Sequence, residues 1–272
     1  MGTTAIRHLA VVTGATGGIG AAVSRTLSRD GFAVVVQFNS NRAAADELVS
    51  SIHAEGGSAH ALQANLGTDA GVARFGDEVA ELLLAHPEYE LRALVNNAAK
   101  LLGPSFFDAT PEQFDVYFAI NTKAPFFIAQ RLSKLMTAGG AIVNVSSAGV
   151  HFSSPGDIVY AMSKAAVESL TVNMAEAVAK RGIRVNAVIP GFTDNGHDAF
   201  KVDAVLEYMS GFAVLGGVSQ PETVAEAIAF LVSDRSSRTT GTTLDVSGGS
   251  TIGARGSRAG SVAHLIEGAE PA

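Results

Sequence analysis

The sequence predicts an α/β fold: a doubly wound, seven-stranded parallel sheet flanked by helices on both faces. Three observations carry that expectation. Apolar runs of strand length alternate with amphipathic segments of helix length along the chain. The strand-like runs are nearly continuous in apolar residues, as strands covered on both faces are. A glycine-rich turn, VVTGATGGIG, joins the first run to the first helical segment.

The elements follow in order. HLAVVT at 8–13 is the first strand, and 19–28 the first helix. AVVVQF at 33–38 leads to a helix at 43–54, and AHALQA at 59–64 to a helix at 70–84. RALVNN at 92–97 precedes a long helical segment at 111–136. That segment opens with Thr110-Pro111-Glu112-Gln113, which offers an N-cap, a proline at the first helical position and early acidity. AIVNVSS at 141–147 precedes a helix at 159–180, whose basic last turn meets Gly182 as a stop. IRVNAVI at 183–189, a helix at 221–233 and TTLDVSG at 242–248 complete the sheet.

Bulk composition narrows the functional classes. The chain has 272 residues, 47% hydrophobic and 17% charged, which supplies one large core and argues against disorder. Residues 1–253 are expected to form one domain, and the Gly/Ala/Ser-rich stretch 254–272 reads as a C-terminal tail. Net charge is −7 with no basic cluster, which argues against a nucleic-acid partner. Cysteine is absent, so no disulfide framework or thiolate metal site is expected, and a reducing cytoplasm suits the chain. Glycines interrupt the N-terminal segment, and no apolar run of about 18 residues occurs, so neither a leader nor a membrane span is expected. The seven histidines show no HExxH-like spacing, and no metal site is expected.

Two local patterns carry chemistry. The turn at Gly14, Gly17, Gly18 and Gly20 follows a strand and opens a helix. Such a turn offers backbone N–H donors, close approach and a helix N-terminus to a phosphate group. YAMSK places Tyr160 and Lys164 one helical turn apart, on one face. A free phenol has a pKa of about 10, and a neighbouring ammonium is expected to lower it toward proton transfer at neutral pH.

The spacing Thr13-Gly14-x-x-x-Gly18-x-Gly20 resembles the short-chain dehydrogenase/reductase family in its single-domain form. NNAA at 96–99, INTKAPF at 120–126, IVNVSS at 142–147, YAMSK, IPG at 189–191 and TGTTLDVSGG at 240–249 extend the resemblance in order. The overall pattern looks most like the 3-oxoacyl-carrier-protein reductase branch. The resemblance implies a Rossmann-type fold and a hydride passed between a nicotinamide cofactor and a carbonyl or secondary alcohol. It implies a catalytic set of Asn121, Ser147, Tyr160 and Lys164. Ser147 would hydrogen-bond the substrate oxygen, while Ser146 points to the other face. Asn121 would hold a helix kink and a relay water, and Lys164 would also bind the nicotinamide ribose.

For the cofactor, the resemblance implies contacts from Gly14, Thr16, Gly18, Ile19 and Gly20, and from Asn39, Ser40 and Asn41. Asn65, Leu66, Asn97, Ala98, Pro190, Gly191 and Thr193 join them, with Tyr160 and Lys164. Phe38 stands where an acidic residue would select NAD(H), and Arg42 follows, so NADP(H) is favoured over NAD(H). Gly17 departs from the basic residue of many NADP-preferring relatives, Asn65 from the usual Asp, and Ala99 from the usual Gly. Substrate choice is expected between residues 192 and 217, as a lid with apolar anchors, with HFSSPGD at 151–157 as the opposite wall. An uncharged or partly apolar carbonyl compound suits them. An NAD-dependent sugar or polyol dehydrogenase is the alternative, followed by a non-catalytic nucleotide sensor. Relatives pair through the two long helices, so a homodimer or homotetramer is expected.

Overall fold

The computed structural model describes residues 6–196 and 198–253. Seven strands form one sheet in which each pairs in parallel with its neighbour. They are β1 (Arg7–Val12), β2 (Ala33–Phe38), β3 (Ser58–Gln63), β4 (Tyr89–Asn96), β5 (Ala141–Val145), β6 (Arg184–Pro190) and β7 (Thr243–Val246). The order is β3-β2-β1-β4-β5-β6-β7, so the winding reverses between β1 and β4. In open α/β sheets, ligands bind at the strand carboxyl ends beside such a reversal.

Side-chain alternation divides the core in two. Ala10 and Val12 of β1 face one layer with Phe38, Leu48, Ile52, Ile228 and Leu231. Leu9 and Val11 face the other with Phe75, Val79, Leu94, Ile128, Leu132 and Ile142. Every residue of β2 and β6 is buried, as the near-continuous apolar runs require. The helices on the first face are α1 (Gly18–Arg29), α2 (Arg42–Ala54) and α8 (Pro221–Val232). Those on the second include α3 (Asp69–Ala85), α5 (Ala124–Leu132) and α6 (Ile158–Val178).

The expected helix over 111–136 is broken into pieces. α4 (Pro111–Phe118) begins as anticipated, with Thr110 and Gln113 forming a reciprocal capping box. A π-helical turn, Ala119–Lys123, follows, and α5 then ends at Leu132. Pro125 supplies a reason for the break. It lies four residues after Asn121 and has no N–H, so an α-helix here would leave the Asn121 carbonyl without its partner. The chain widens instead, and the Ala124 N–H reaches the Ala119 carbonyl.

Other boundaries moved less. β4 starts at Tyr89 rather than 92, because Tyr89, Glu90 and Leu91 extend the pairing along Arg7, His8 and Leu9. α6 gives way to a short 3-10 turn, Ala179–Arg181, and Gly182 closes it at φ 70°. Arg184 does more than begin a strand. Its buried guanidinium donates to the carbonyls of Leu231, Val232 and Ser233 and to Ser236 Oγ, closing the end of α8. The stretch expected to be a lid contains a helix, α7 (Asp203–Ser210). The expected tail, 254–272, lies outside the described residues.

Candidate active site

The glycine turn leaves β1 at its carboxyl end and is built around backbone crowding. Gly14 sits at φ +61°, and a Cβ there would stand 2.7 Å from Ala98 Cα. A Cβ on Gly20 would stand 2.3 Å from the Gly14 carbonyl oxygen. The turn is braced from three sides. Gln37 Oε1 accepts from the Gly14 N–H at 2.8 Å, while Gln37 Nε2 donates to the Ala64 carbonyl at 2.8 Å. Thr13 Oγ1 accepts from the N–H groups of Asn97 and Ala98, both at 3.0 Å. Asn97 Nδ2 donates to the carbonyls of Thr13 and Gly14, both at 3.0 Å.

The Asn97 amide, expected to line the cofactor, here holds the turn together. Ala98 backs Gly14 and leaves no room for a side chain there. Gly18 begins α1, and its N-cap, Gly17, gives the helix no side-chain cap. The first-turn N–H groups therefore keep no side-chain acceptor from that position, while Thr16 and Ile19 are half-buried beside them. A cradle that a Cβ would fill, opening onto a helix end without a side-chain cap, fits the pyrophosphate of a dinucleotide. Across the turn, a Cβ on Gly18 would stand 2.8 Å from Asn195 Cα, so the segment after β6 crosses the same mouth.

At the end of β2, Phe38 is wholly buried and Asn39, Ser40, Asn41 and Arg42 are exposed. Asn41 Oδ1 caps α2 by accepting from the Ala44 N–H at 3.1 Å. The Arg42 guanidinium lies 4.9 Å from the centre of the Phe38 ring and 3.7 Å from the Asp46 carboxylate. No acidic side chain occupies residues 37–42. Asn65 is exposed and turns its own loop, accepting from the Gly67 N–H at 3.0 Å, while Leu66 is buried.

Ser147, Tyr160 and Lys164 come together at the ends of β5 and α6. Ser147 sits just beyond β5, and its side chain acts on the Tyr160 phenol, drawing its pKa down. It also accepts from the Gly149 N–H at 3.2 Å. Lys164 is 3% exposed, and its Nζ donates to the Val145 carbonyl at 2.7 Å. Burial holds the Lys164 ammonium down, from the usual 10.5 to about 8.

The phenol departs from expectation. Burial pushes the Tyr160 pKa up, the Ser147 side chain pulls it down, and the Asp157 charge pushes it up again, for a net rise. Lowering by Lys164 is not among these influences: the lysine titrates at about 8 and is neutral before the phenol would ionise. In the protein alone, Tyr160 is held protonated.

Asn121 sits in the π-turn and is fully buried. It accepts from the Lys100 N–H at 2.7 Å and donates to the Lys100 carbonyl at 3.1 Å and to Ser163 Oγ at 2.9 Å. Ser163 Oγ in turn donates to the Tyr160 carbonyl at 2.7 Å. Sequence reasoning missed Ser163, although it lies within YAMSK and links the π-turn to α6. The loop after β4 also touches the tyrosine, since a Cβ on Gly103 would stand 3.3 Å from Tyr160 Cβ. In that loop Leu102 holds φ 55°, the one positive φ of a non-glycine among the described residues.

The far wall carries Pro190, Gly191 and Thr193. A Cβ on Gly191 would stand 2.8 Å from the Ser247 carbonyl oxygen, so β7's exit fixes that turn. Thr193 Oγ1 donates to the Gly191 carbonyl at 3.1 Å, and the Thr193 backbone bridges to Ser219. Beyond them four aromatics meet. Phe212 lies 5.1 Å from Phe152, 5.3 Å from Phe192 and 5.2 Å from Tyr208, ring centre to ring centre. Residues 151–157 and 192–217 were expected as opposite walls, and this cluster joins them.

Among the described residues no group of His, Asp and Glu stands ready to hold a metal, and no helix is long and apolar enough to cross a membrane.

Comparison with known proteins agrees with this geometry. Residues 14–251 match a family model described as enoyl-(acyl carrier protein) reductase. The chain is 34% identical over 249 residues to a 3-oxoacyl-[acyl-carrier-protein] reductase of Synechocystis sp., covering 89% of this chain and 96% of that protein. It is 39% identical to the promiscuous reductase LugOII, which catalyses keto-reduction at C1 during lugdunomycin biosynthesis. That likeness covers 92% of this chain and 100% of the other, with a TM-score of 0.88. The angucycline C-6 ketoreductase LanV, solved with bound NADP, is 37% identical over 92% of this chain and all of its own, with a TM-score of 0.87. A family match spanning both the glycine turn and the Tyr160–Lys164 helix leaves one assignment: the chain is an oxidoreductase and belongs to the short-chain dehydrogenase/reductase family.

Proposed function

We propose that the chain is an NADP(H)-dependent ketoreductase acting on flat, aromatic carbonyl compounds. The observation that carries the reading is buried Lys164, one turn along α6 from Tyr160 and bonded to the Val145 carbonyl, with Ser147 acting on that phenol, at the carboxyl ends of a sheet whose first turn fits a pyrophosphate. The nicotinamide, when bound, supplies or accepts the hydride. This chain's residues handle the proton. Tyr160, protonated at neutral pH and kept so by its burial, donates from its hydroxyl to the carbonyl oxygen as negative charge gathers there. Ser147 holds that oxygen against the phenol, and Lys164 sits close enough along the helix to meet the ribose. Asn121 and Ser163 fix the backbone of α6 beneath them.

NADP(H) is favoured over NAD(H) by the absence of an acidic residue at the end of β2 and by Arg42 stacked beside Phe38. LanV, crystallised with NADP, supports the same choice. The aromatic cluster around Phe212 and the likeness to LugOII and LanV support a flat polyketide-like ketone. Reduction of a 3-oxoacyl thioester is the second reading, supported by the Synechocystis relative.

Calorimetric titration with NADPH and NADH tests the cofactor. NADPH is expected to bind more tightly, and Arg42→Ala to reduce that preference by about tenfold, the worth of one charge-assisted phosphate contact. Equal affinities, or a preference untouched by Arg42→Ala, would remove Arg42 from this role.

A further inference from the structure

One helical turn beyond Lys164, on the same face of α6, stands Glu168. The proton transfer described above does not use it, yet it is largely covered, with its side chain 18% exposed. Its Oε1 accepts from Ser146 Oγ at 2.6 Å and meets His151 Nε2 at 3.1 Å. Ser146 is itself buried and is the residue immediately before Ser147. His151 immediately precedes Phe152, the ring that packs on Phe212. His151 also acts electrostatically on Asp245, which is held by the Ser247 N–H and by Thr251 Oγ1. One carboxylate thus ties the end of β5 to the aromatic wall.

We propose that Glu168 is a positioning residue: anchored by the buried Ser146 hydroxyl, it holds Phe152, through His151, in the wall that a flat ketone packs against. The inference rests on the reading of Ser147 and Tyr160 as the reacting pair. A hydroxyl donating to a carboxylate makes a short, strong bond, and here little water competes for it. Leucine in place of Glu168 would leave the buried Ser146 hydroxyl without an acceptor and His151 without a partner on α6. The Ser146 hydroxyl would turn to another rotamer within the core, and the wall, untied, would relax by its loop. Glutamine would keep an oxygen in place for both. A bulky substrate feels the wall and a small one does not, so loss of the brace acts on substrates selectively.

Steady-state kinetics with NADPH test this on two probes, bicyclic 1-tetralone and small ethyl acetoacetate. Glu168→Leu is expected to raise KM for 1-tetralone by about tenfold with kcat changed by less than about threefold. KM for ethyl acetoacetate and NADPH affinity by calorimetry should stay within about twofold. Glu168→Gln is expected to restore the 1-tetralone KM. His151→Leu should reproduce the Glu168→Leu effect, and the double variant should be no worse than either, as groups acting in one chain are not additive. His151 is a third exposed, so its variant carries the test alone if Glu168→Leu hinders folding. An unchanged 1-tetralone KM, an equal loss on both ketones, or Glu168→Gln as poor as Glu168→Leu would overturn the role. A wild-type protein that reduces neither ketone would overturn the underlying reading of the site instead.

Discussion

Burial acts on Tyr160 and Lys164 in the same way and moves them in opposite directions, because it disfavours whichever form is charged. The lysine therefore weakens the fold it sits in. Its pKa is about 8 in the folded chain against 10.5 ordinarily. Below 8 both folded and unfolded chains hold the proton, and the full cost of a buried ammonium is present. Between 8 and 10.5 the unfolded chain binds the proton that the folded chain has released, so this group's contribution to stability rises with pH. Lys164→Met removes the cost, offset by the lost bond to the Val145 carbonyl, and is expected to stabilise the cofactor-free protein at pH 7 by about 2 kcal/mol. Urea unfolding of both proteins at about pH 7 and about pH 9.5 checks this: the gap should narrow at the higher pH. A gap that is absent or widens would mean that Lys164 is not strained. At this scale the sequence made Gly14, Gly20, Ser147, Tyr160 and Lys164 legible, since each is a chemical type at a fixed spacing. It left Ser163 and Glu168 unread, because a serine and a glutamate on a helix have no local pattern. Their partners, Asn121 and Ser146, arrive from 42 and 22 residues away.

Elements were legible where a period or a cap marks them. The buried strands, the capping box at Thr110 and the glycine stop at Gly182 announced themselves. The π-turn left no mark in the hydrophobic pattern of 111–136, and only the family resemblance implied a kink at Asn121. The signal was Pro125, which denies the Asn121 carbonyl its α-helical partner. Pro125→Ala restores that donor and is expected to straighten the segment. Asn121 would then turn away from Lys100 and Ser163, and the rate of reduction would fall by about tenfold while thermal stability held or rose. An unchanged rate would show that the turn does not serve the site. α7 was also missed. Its residues, Asp203–Ser210, lie in the stretch read as a lid with apolar anchors, and the meeting of Tyr208 with Phe212 comes only through the fold.

The molecule as a whole exposes apolar side chains along one region: Phe114 and Val116 on α4, Phe126 and Phe127 on α5, and Met162 and Val172 on α6. An isolated exposed side chain is ordinary, but this many on three neighbouring helices resemble a face that is covered. A homodimer or homotetramer joined there is expected by light scattering. Phe127→Glu is expected to dissociate it, and a monomeric wild type would remove the interface. A net charge of −7 opposes non-specific self-association.

The account turns on Tyr160 as proton donor beside a nicotinamide. The most direct test follows NADPH consumption on an aromatic ketone by the wild type and by Tyr160→Phe, with NADPH affinity measured on both. Turnover is expected to fall by about a thousandfold in the variant, the scale of a lost general acid, with NADPH affinity within a few-fold of wild type. Turnover that survives the substitution would contradict the account at its centre.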